Sequence, residues 1–548
     1  PAGNALVPGP APNPWGFTIS NDGTGPIVTH TPSPAPLPAG QDVTLNATIT
    51  DLGSGVLVAY VNYRRGGDSV DTEQPMARQT GNVWQGVIPS AAVGGRGLSY
   101  AITSRDSIGN LGRYPATGRV LATVQLDSVA RPAPLPAGSY RMVSVPFASA
   151  GPAYRPDVFA DDLGAYDPAR WRIFRWQSGA YAENSAVQDI VPGRAYWLIA
   201  KGGGTVDVLS ANTLPDSACS IPLAQGWNMV GDPFGYAVNL SDVWVHDSDS
   251  SFRFTDTDNM LTERRLVAYD GGYTNAAQLA PWAGYWVRAL ASGVRLEVPA
   301  RAAAKSEGGG KEEGWSLAFA AECGAFHDRD NRAAVTPRGA RDDASEPPAM
   351  GPHVTLAFDR GGARLAEDCR ADIGAGQSWR FTVETDLAGQ VELSWREQGV
   401  NGGWQYQVFD VTAGRALEQG GSYAFQPEPG RPREFAVLVG SAAYIAEESG
   451  NAGLVPAVTA LSQNRPNPFA GATTISYQLA GAGRVTLKLY NVAGQLVRVL
   501  EDGQRTAGRY ALRWDGRDGT GRALPNGLYF YRLEAPGLTA TRKLTLVR

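Results

Sequence analysis

The chain has 548 residues with 48 Lys+Arg against 53 Asp+Glu, a net charge of −5 with His neutral, so it offers no global basic field to hold nucleic acid. Its 66 Gly and 38 Pro make up nearly a fifth of it and charged residues only 18%, which excludes a coiled-coil composition and points to an all-β, turn-rich chain. The length suits about four domains, no apolar run reaches the roughly eighteen residues a membrane span needs, and three Cys are too few for a disulfide scaffold.

Residues 1–24 are Pro/Gly/Asn-rich without a period and read as an extended segment. The chain starts at Pro1 with neither Met nor a signal peptide, so a processed product or fragment is expected. From 25 to 126 short strands follow at sandwich spacing. Val43, Leu45, Ala47 and Ile49 alternate with polar residues, and runs at 56–63, 84–88 and 98–102 come next. The order of these motifs resembles Ig-like or fibronectin-like modules that follow catalytic domains in secreted bacterial peptidases. That resemblance implies a spacer or binder and brings no catalytic residue with it.

A Pro-rich hinge at 131–136 leads into an internal duplication, with copies at 127–220 and 221–300. Tyr140-Arg-Met-Val-Ser-Val-Pro-Phe147 recurs as Trp227-Asn-Met-Val-Gly-Asp-Pro-Phe234. Trp176-Gln-Ser-Gly179 recurs as Tyr269-Asp-Gly-Gly272, and Tyr196-Trp197 as Tyr285-Trp286. Half of the 14 Trp lie here. They could stack on sugars, but recurrence at equivalent positions is what a core demands, so Trp197 and Trp286 are expected buried with N–H groups bonded to backbone. Trp171 and Trp244 fall outside the matched motifs and are the better candidates for exposure.

Residues 301–314, rich in Gly, Lys and Glu, read as a flexible linker. A further sandwich is expected over 315–443, with strands at 379–383, 391–395, 406–409 and 434–439. It resembles an uncharacterised β-domain that precedes secretion or cellulosome-type modules in large exported proteins. A second linker, 444–460, is Gly-rich and suited to proteolysis.

Four His, at 30, 246, 327 and 353, are scattered over three of these domains and make no local metal spacing. Neither a G-x-S-x-G elbow nor a phosphate loop occurs. Cys219 has no adjacent His and reads as an inert thiol. Cys323 and Cys369 fall in one predicted domain and are the candidate disulfide in an oxidising compartment. A glycosidase carboxylate pair meets only in space, but the helices or barrel of a hydrolase are not evident. Acidic turns at 247–249, 256–259 and 515–521 suit either Ca²⁺ or the ordinary closing of loops by Asp and Asn. Asp328, Asp330 and Asn331 are the best of these for calcium. No other cofactor is expected.

The closing stretch, 461–548, carries most information. Ile475, Tyr477 and Leu479, then Val485, Leu487 and Leu489, alternate as strands of an antiparallel sandwich. Its marks are Asn464, Pro466, Asn467, Pro468 and Phe469; Gly494; Trp514, Asp515 and Gly516; Asn526, Gly527 and Tyr529; and Lys543. Their order resembles the type IX secretion (Por system) C-terminal sorting domain and the Ig-like domain of flagellar hook-capping proteins. The position at the C-terminus favours the sorting domain. The W-N-M-V-x-x-P-F and Y-W motifs of the duplication resemble modules of type IX cargo proteins. What the resemblance implies is an address read by the outer-membrane type IX translocation machinery, and a cell-surface or extracellular destination. The expectation is a non-catalytic, structural or adhesive string of Ig-like sandwiches with a surface glycan or protein as ligand. The alternatives are the accessory part of a secreted peptidase and a self-associating fibre subunit.

Overall fold

The computed structural model describes residues 22–303, 314–399, 403–417, 421–428, 430–451, 456, 458–481, 483–505 and 508–547. The expected extended segment, up to residue 21, and the core of the charged linker, 304–313, lie outside the described residues. The fold is all-β, tandem sandwich-like sheets with a few short helical turns. Two compact units divide the chain: Pro1–Ala268 with Ala276–Glu307, and Tyr269–Asn275 with Gly308–Arg548.

The first unit opens on an Ig-like sandwich. The strand Val43–Thr50 buries Val43, Leu45, Ala47 and Ile49 and turns Thr44, Asn46 and Thr48 outward, because a pleated strand sends alternate side chains to opposite faces. It pairs with Ile27–His30 and Val83–Ile88. The opposing sheet runs Val120–Ala122, Leu98–Asp106, Val56–Arg65, Thr72–Pro75. Val61, Tyr100 and Ile102 from that sheet meet Leu45, Ile49 and Trp84 in one core.

The duplicated stretch then builds one pairing scheme twice. In the first copy Arg141–Ser144 and Trp171–Gln177 flank Ala195–Ala200, with Phe174 opposite Trp197. In the second, Gly226–Gly231 lies beside Gly284–Ala289, and Val267 is opposite Trp286. Val124–Ala130 pairs with Asp207–Asn212 in one copy, as Cys219–Pro222 pairs with Arg295–Val298 in the other.

The copies face each other across a local two-fold relation. Ser144 donates its N–H to the Trp282 carbonyl at 3.1 Å, and its counterpart Gly231 donates to the Gly193 carbonyl at 3.1 Å. Val143 bridges Ala283 just as Val230 bridges Arg194. On the axis, residues meet their own counterparts. A Cβ on Gly231 would fall 2.2 Å from Ser144 Cβ, and one on Gly284 would fall 2.7 Å from Ala195 Cβ. Only one copy can carry side chains there, and the second copy has given them up.

The second unit holds the next sandwich. Trp315–Cys323 lies between Phe326–Val335 and Val391–Gly399. Val354–Arg360, Gly376–Thr385, Arg433–Gly440 and Gln405–Asp410 follow in order. Trp315, Phe319, Trp379, Phe381 and Phe435 share its core. Buried Asp368 is answered by Arg360 at 2.8 Å and Arg370 at 2.9 Å.

Part of the expected linker 444–460 is instead a helix, Ala442–Asn451. Ile445 packs against Phe409, Ala416 and Leu438, and this apolar anchor outweighs the Gly content that suggested an open segment. Residues 452–455 and 457 lie outside the described residues.

Candidate functional site

The closing module is the part of the chain with the densest set of marked residues, and each does identifiable work in the fold. Asn464 is buried. Its backbone N–H donates to the Tyr531 hydroxyl at 2.9 Å, and its side-chain amide donates to Thr473 Oγ1 at 2.9 Å and the Pro466 carbonyl at 3.2 Å. The segment after it is bracketed to the last strand, Leu538–Leu546. Asn467 Oδ1 accepts the Thr545 N–H at 2.8 Å. Phe469 donates to the Thr545 carbonyl at 3.0 Å, and Val547 donates to the Phe469 carbonyl at 2.9 Å. Proline suits this segment because it withholds an N–H that the bracket does not use; Pro466 and Pro468 both follow cis peptide bonds.

Behind the bracket lies an aromatic stack. The ring of Phe469 is 5.5 Å from that of Trp514, which is 5.8 Å from Tyr529. Trp514 is fully buried and donates its indole N–H to the Arg517 carbonyl at 2.9 Å. Asp515 pairs with Arg498 at 3.0 Å. Gly516 and Gly494 hold φ of 72° and 76°, a region that favours glycine because it has no Cβ to clash. The Tyr529 hydroxyl donates to the Pro525 carbonyl at 2.8 Å and closes the turn through Asn526 and Gly527. Lys543 is exposed, and its carbonyl takes the Gln463 amide at 2.8 Å. The motif is thus chiefly a recipe for this sandwich, with Lys543 among the side chains left on its surface.

The calcium candidates do not form one ligand set. Asp328 and Asn331 are buried while Asp330 is exposed at φ 65° beside a bulge between Phe319 and Ala321. Asp328 Oδ2 accepts the Leu356 N–H at 2.6 Å, whereas Asp330 Oδ2 accepts the Asn275 N–H at 2.9 Å. The bulge turns the three side chains between core and surface. Neither amide atom of Asn331 has a partner among the described residues.

Asp22, Asp51 and Asp106 do converge, within 4.8 Å. Asp22 takes Thr24 and Ser54 donors, Asp51 takes Gly53, and Asp106 takes Ile108 and Asn110. Hydrogen bonds from Thr24, then Ser54, hold the Asp22 carboxyl down to about 2. This is how Asp closes turns without a metal. The signal for it in the sequence is the Asp51-x-Gly-Ser turn.

The expected Cys323–Cys369 bridge is absent, and both thiols are free and buried. Cys323 pairs with Phe326 at one end of the strand Phe326–Val335, and Cys369 with Ala334 near the other. Counted on the unbulged partner strand, from Cys323 to Ser316 opposite Ala334, seven residues separate those levels by roughly 23 Å, far beyond the span of about 7 Å that a disulfide can bridge. Burial pushes the Cys219 thiol up to about 11, with the Asp232 charge adding to it, the reverse of what a nucleophile needs.

Trp197 and Trp286 are fully buried, as a core requires, but neither bonds as expected. Trp197 meets the Tyr181 hydroxyl, and the Trp286 N–H has no partner among the described residues. Trp171 is buried too, its N–H on the Gly164 carbonyl at 3.0 Å, because the strand it opens packs into the first repeat's core. Trp244 is half-buried under the Arg253 guanidinium, 4.2 Å from its ring. The four His have local partners. His30 sits between the Asn46 carbonyl and the Tyr100 hydroxyl, His246 beside Ser251, His327 3.4 Å from Asp270, and His353 on the Gly351 carbonyl.

Comparisons with known proteins bear on the closing module. No curated protein matches the chain. Among solved structures, latent dimeric PorU from Porphyromonas gingivalis aligns at 10% identity over 96% of this chain and 34% of that one, with a TM-score of 0.15. PorZ from Porphyromonas gingivalis, a surface component of the type IX secretion system, aligns at 10% identity over 93% and 74%, TM-score 0.13. Escherichia coli alpha-2-macroglobulin aligns at 11% identity over 95% and 53%, TM-score 0.12. The chain spans about a third of the PorU chain and half of the macroglobulin chain, and superpositions at this level carry no argument. Residues 463–537 match the family model of the FlgD Ig-like domain, so it is the closing sandwich that is similar to a known family.

Proposed function

We propose that the chain is a non-catalytic, exported protein of the bacterial surface or its surroundings, delivered by the type IX route through its closing module and serving structure or adhesion there. The observation that carries this reading is the match of residues 463–537 to the FlgD Ig-like domain, on the same residues whose order resembles the type IX sorting domain. The tandem β-sandwich build and the local partners of all four His support a mechanical or binding role over a catalytic one. The partner of the closing module is the outer-membrane translocation machinery, and no cofactor belongs to this reading. Deleting residues 461–548 in the host tests it. The truncated protein is expected to accumulate inside the cell envelope, with most of the external fraction lost on immunoblots of fractionated culture. Undiminished export would overturn it.

A further inference from the structure

The groove between the two repeats carries side chains that the repeat fold itself does not need. It encloses about 530 Å³ between the hairpin around Gln177–Gly179 of the first copy and the segment 222–228 of the second. Arg175 and Arg194 both line it, half-exposed and close enough to repel. Burial lowers the Arg175 pKa, and the Arg194 charge lowers it further. Neither guanidinium has an acidic partner among the described residues. Asp189, the carboxylate that reaches Tyr196 beside them, is taken by Arg155 at 2.8 Å. The equivalent positions in the second copy are Ala268 and Ala283, so the paired charges belong to one side of the local two-fold alone.

The groove also presents two indoles. Trp176 and Trp227 are half-buried and stand at 83° and 74° to the buried Trp286, each with its ring centroid 5.9 Å away. That packing fixes them while leaving part of each accessible. Gln177 and Gln188 add side-chain amides at the rim.

We infer that this groove binds an acidic saccharide, a pyranose carrying a carboxylate or sulfate. The planar guanidinium fork matches a carboxylate or sulfate through paired N–H donors. Indoles offer an apolar face with a polar edge to a sugar ring, and amides can both donate to and accept from ring hydroxyls. An acidic peptide would satisfy the arginines but would leave the indoles and rim amides with less to do. The inference deepens the adhesive part of the proposed function and rests on it for its biological setting. Its test uses purified chain, so failure of export and failure of binding are separate results.

The purified full chain is titrated with trigalacturonate, a chondroitin sulfate hexasaccharide, cellohexaose, hexaglutamate and sodium sulfate, following heat and tryptophan fluorescence. At least one acidic oligosaccharide is expected to bind about tenfold tighter than cellohexaose and hexaglutamate, and to weaken as salt rises. Arg175→Ala and Arg194→Ala, which install the residues the second copy already tolerates, should each weaken it about tenfold with the melting temperature unchanged. If either variant melts early, Arg175→Lys and Arg194→Lys keep the charge but lose the fork and should bind with intermediate strength. Four results would each overturn the inference: no binding of either acidic oligosaccharide at millimolar concentration, equal binding of cellohexaose or hexaglutamate, sulfate alone binding as tightly, or full affinity in both Ala variants.

Discussion

The first repeat has Val145 in its core where the second has Asp232, both fully buried, and it has Gly193 at φ 82° where the second has Trp282 at φ 67°. The Trp282 indole does not serve its own copy. It lies in the core of the first with Val143, Phe147 and Leu198. On the opposite side of the local two-fold, Gly193 leaves room for Ile221, whose Cγ1 would be 2.9 Å from any Cβ there. A bulky residue in the left-handed region is strained by about 1–3 kcal/mol, and burial of a large indole offsets that. At these two positions the second repeat therefore carries strain and a buried carboxyl that the first does not. Two copies of one fold need not be two copies of one energy balance.

The largest effect expected from disturbing this difference is at the indole. Trp282→Ala should cost about 3–5 kcal/mol in urea unfolding. Trp282→Gly should cost about 1 kcal/mol less than that, because glycine removes the backbone strain; equal losses would mean the strain is not real. Next comes the axis itself. Gly231→Ala should cost about 1–3 kcal/mol through overpacking against Ser144, and adding Ser144→Gly should restore most of it. A double variant no more stable than the single one would break the assignment of the two-fold.

The smallest effect at acid pH is at Asp232. Burial pushes its carboxyl well above the usual carboxylate range, although its Oδ1 accepts the Phe234 N–H at 2.9 Å. Its other oxygen has no partner among the described residues. A raised folded-state value means the native chain holds the proton more tightly than the unfolded one. Stability from this group is therefore full below the unfolded value of 3.8 and declines as pH rises through the folded value. Asp232→Asn keeps the acceptor and removes the titration. Melting temperatures of the two proteins should converge at low pH and separate in favour of the variant as pH rises; parallel curves would rule the mechanism out.

Much of this fold is legible from period and punctuation. Val43 to Ile49 and Val485 to Leu489 announce their strands, and the shared motifs announce the duplication. Its geometry is less legible, because Gly231 and Gly284 read as ordinary turn or strand glycines until their counterparts Ser144 and Ala195 are known to lie opposite. Trp171 has no partner motif, which makes it a candidate for exposure, yet packing decides its place. Cys323 and Cys369 share a sheet but not a level in it, which spacing along the chain does not encode. The groove arginines left one trace in the sequence, since Arg175 and Arg194 face alanines when the copies are aligned.

The bracket from Asn464 to Phe469 has a consequence for biosynthesis. Asn467 and Phe469 bond to the backbone of Thr545 and Val547, so the opening residues of the sandwich stay unzipped on the ribosome until those residues, some eighty positions later, have been made. A polypeptide broken off before Leu538 would lack the strand that closes the module. Built this way, the module itself distinguishes a polypeptide that has reached Val547 from one that stops short of it.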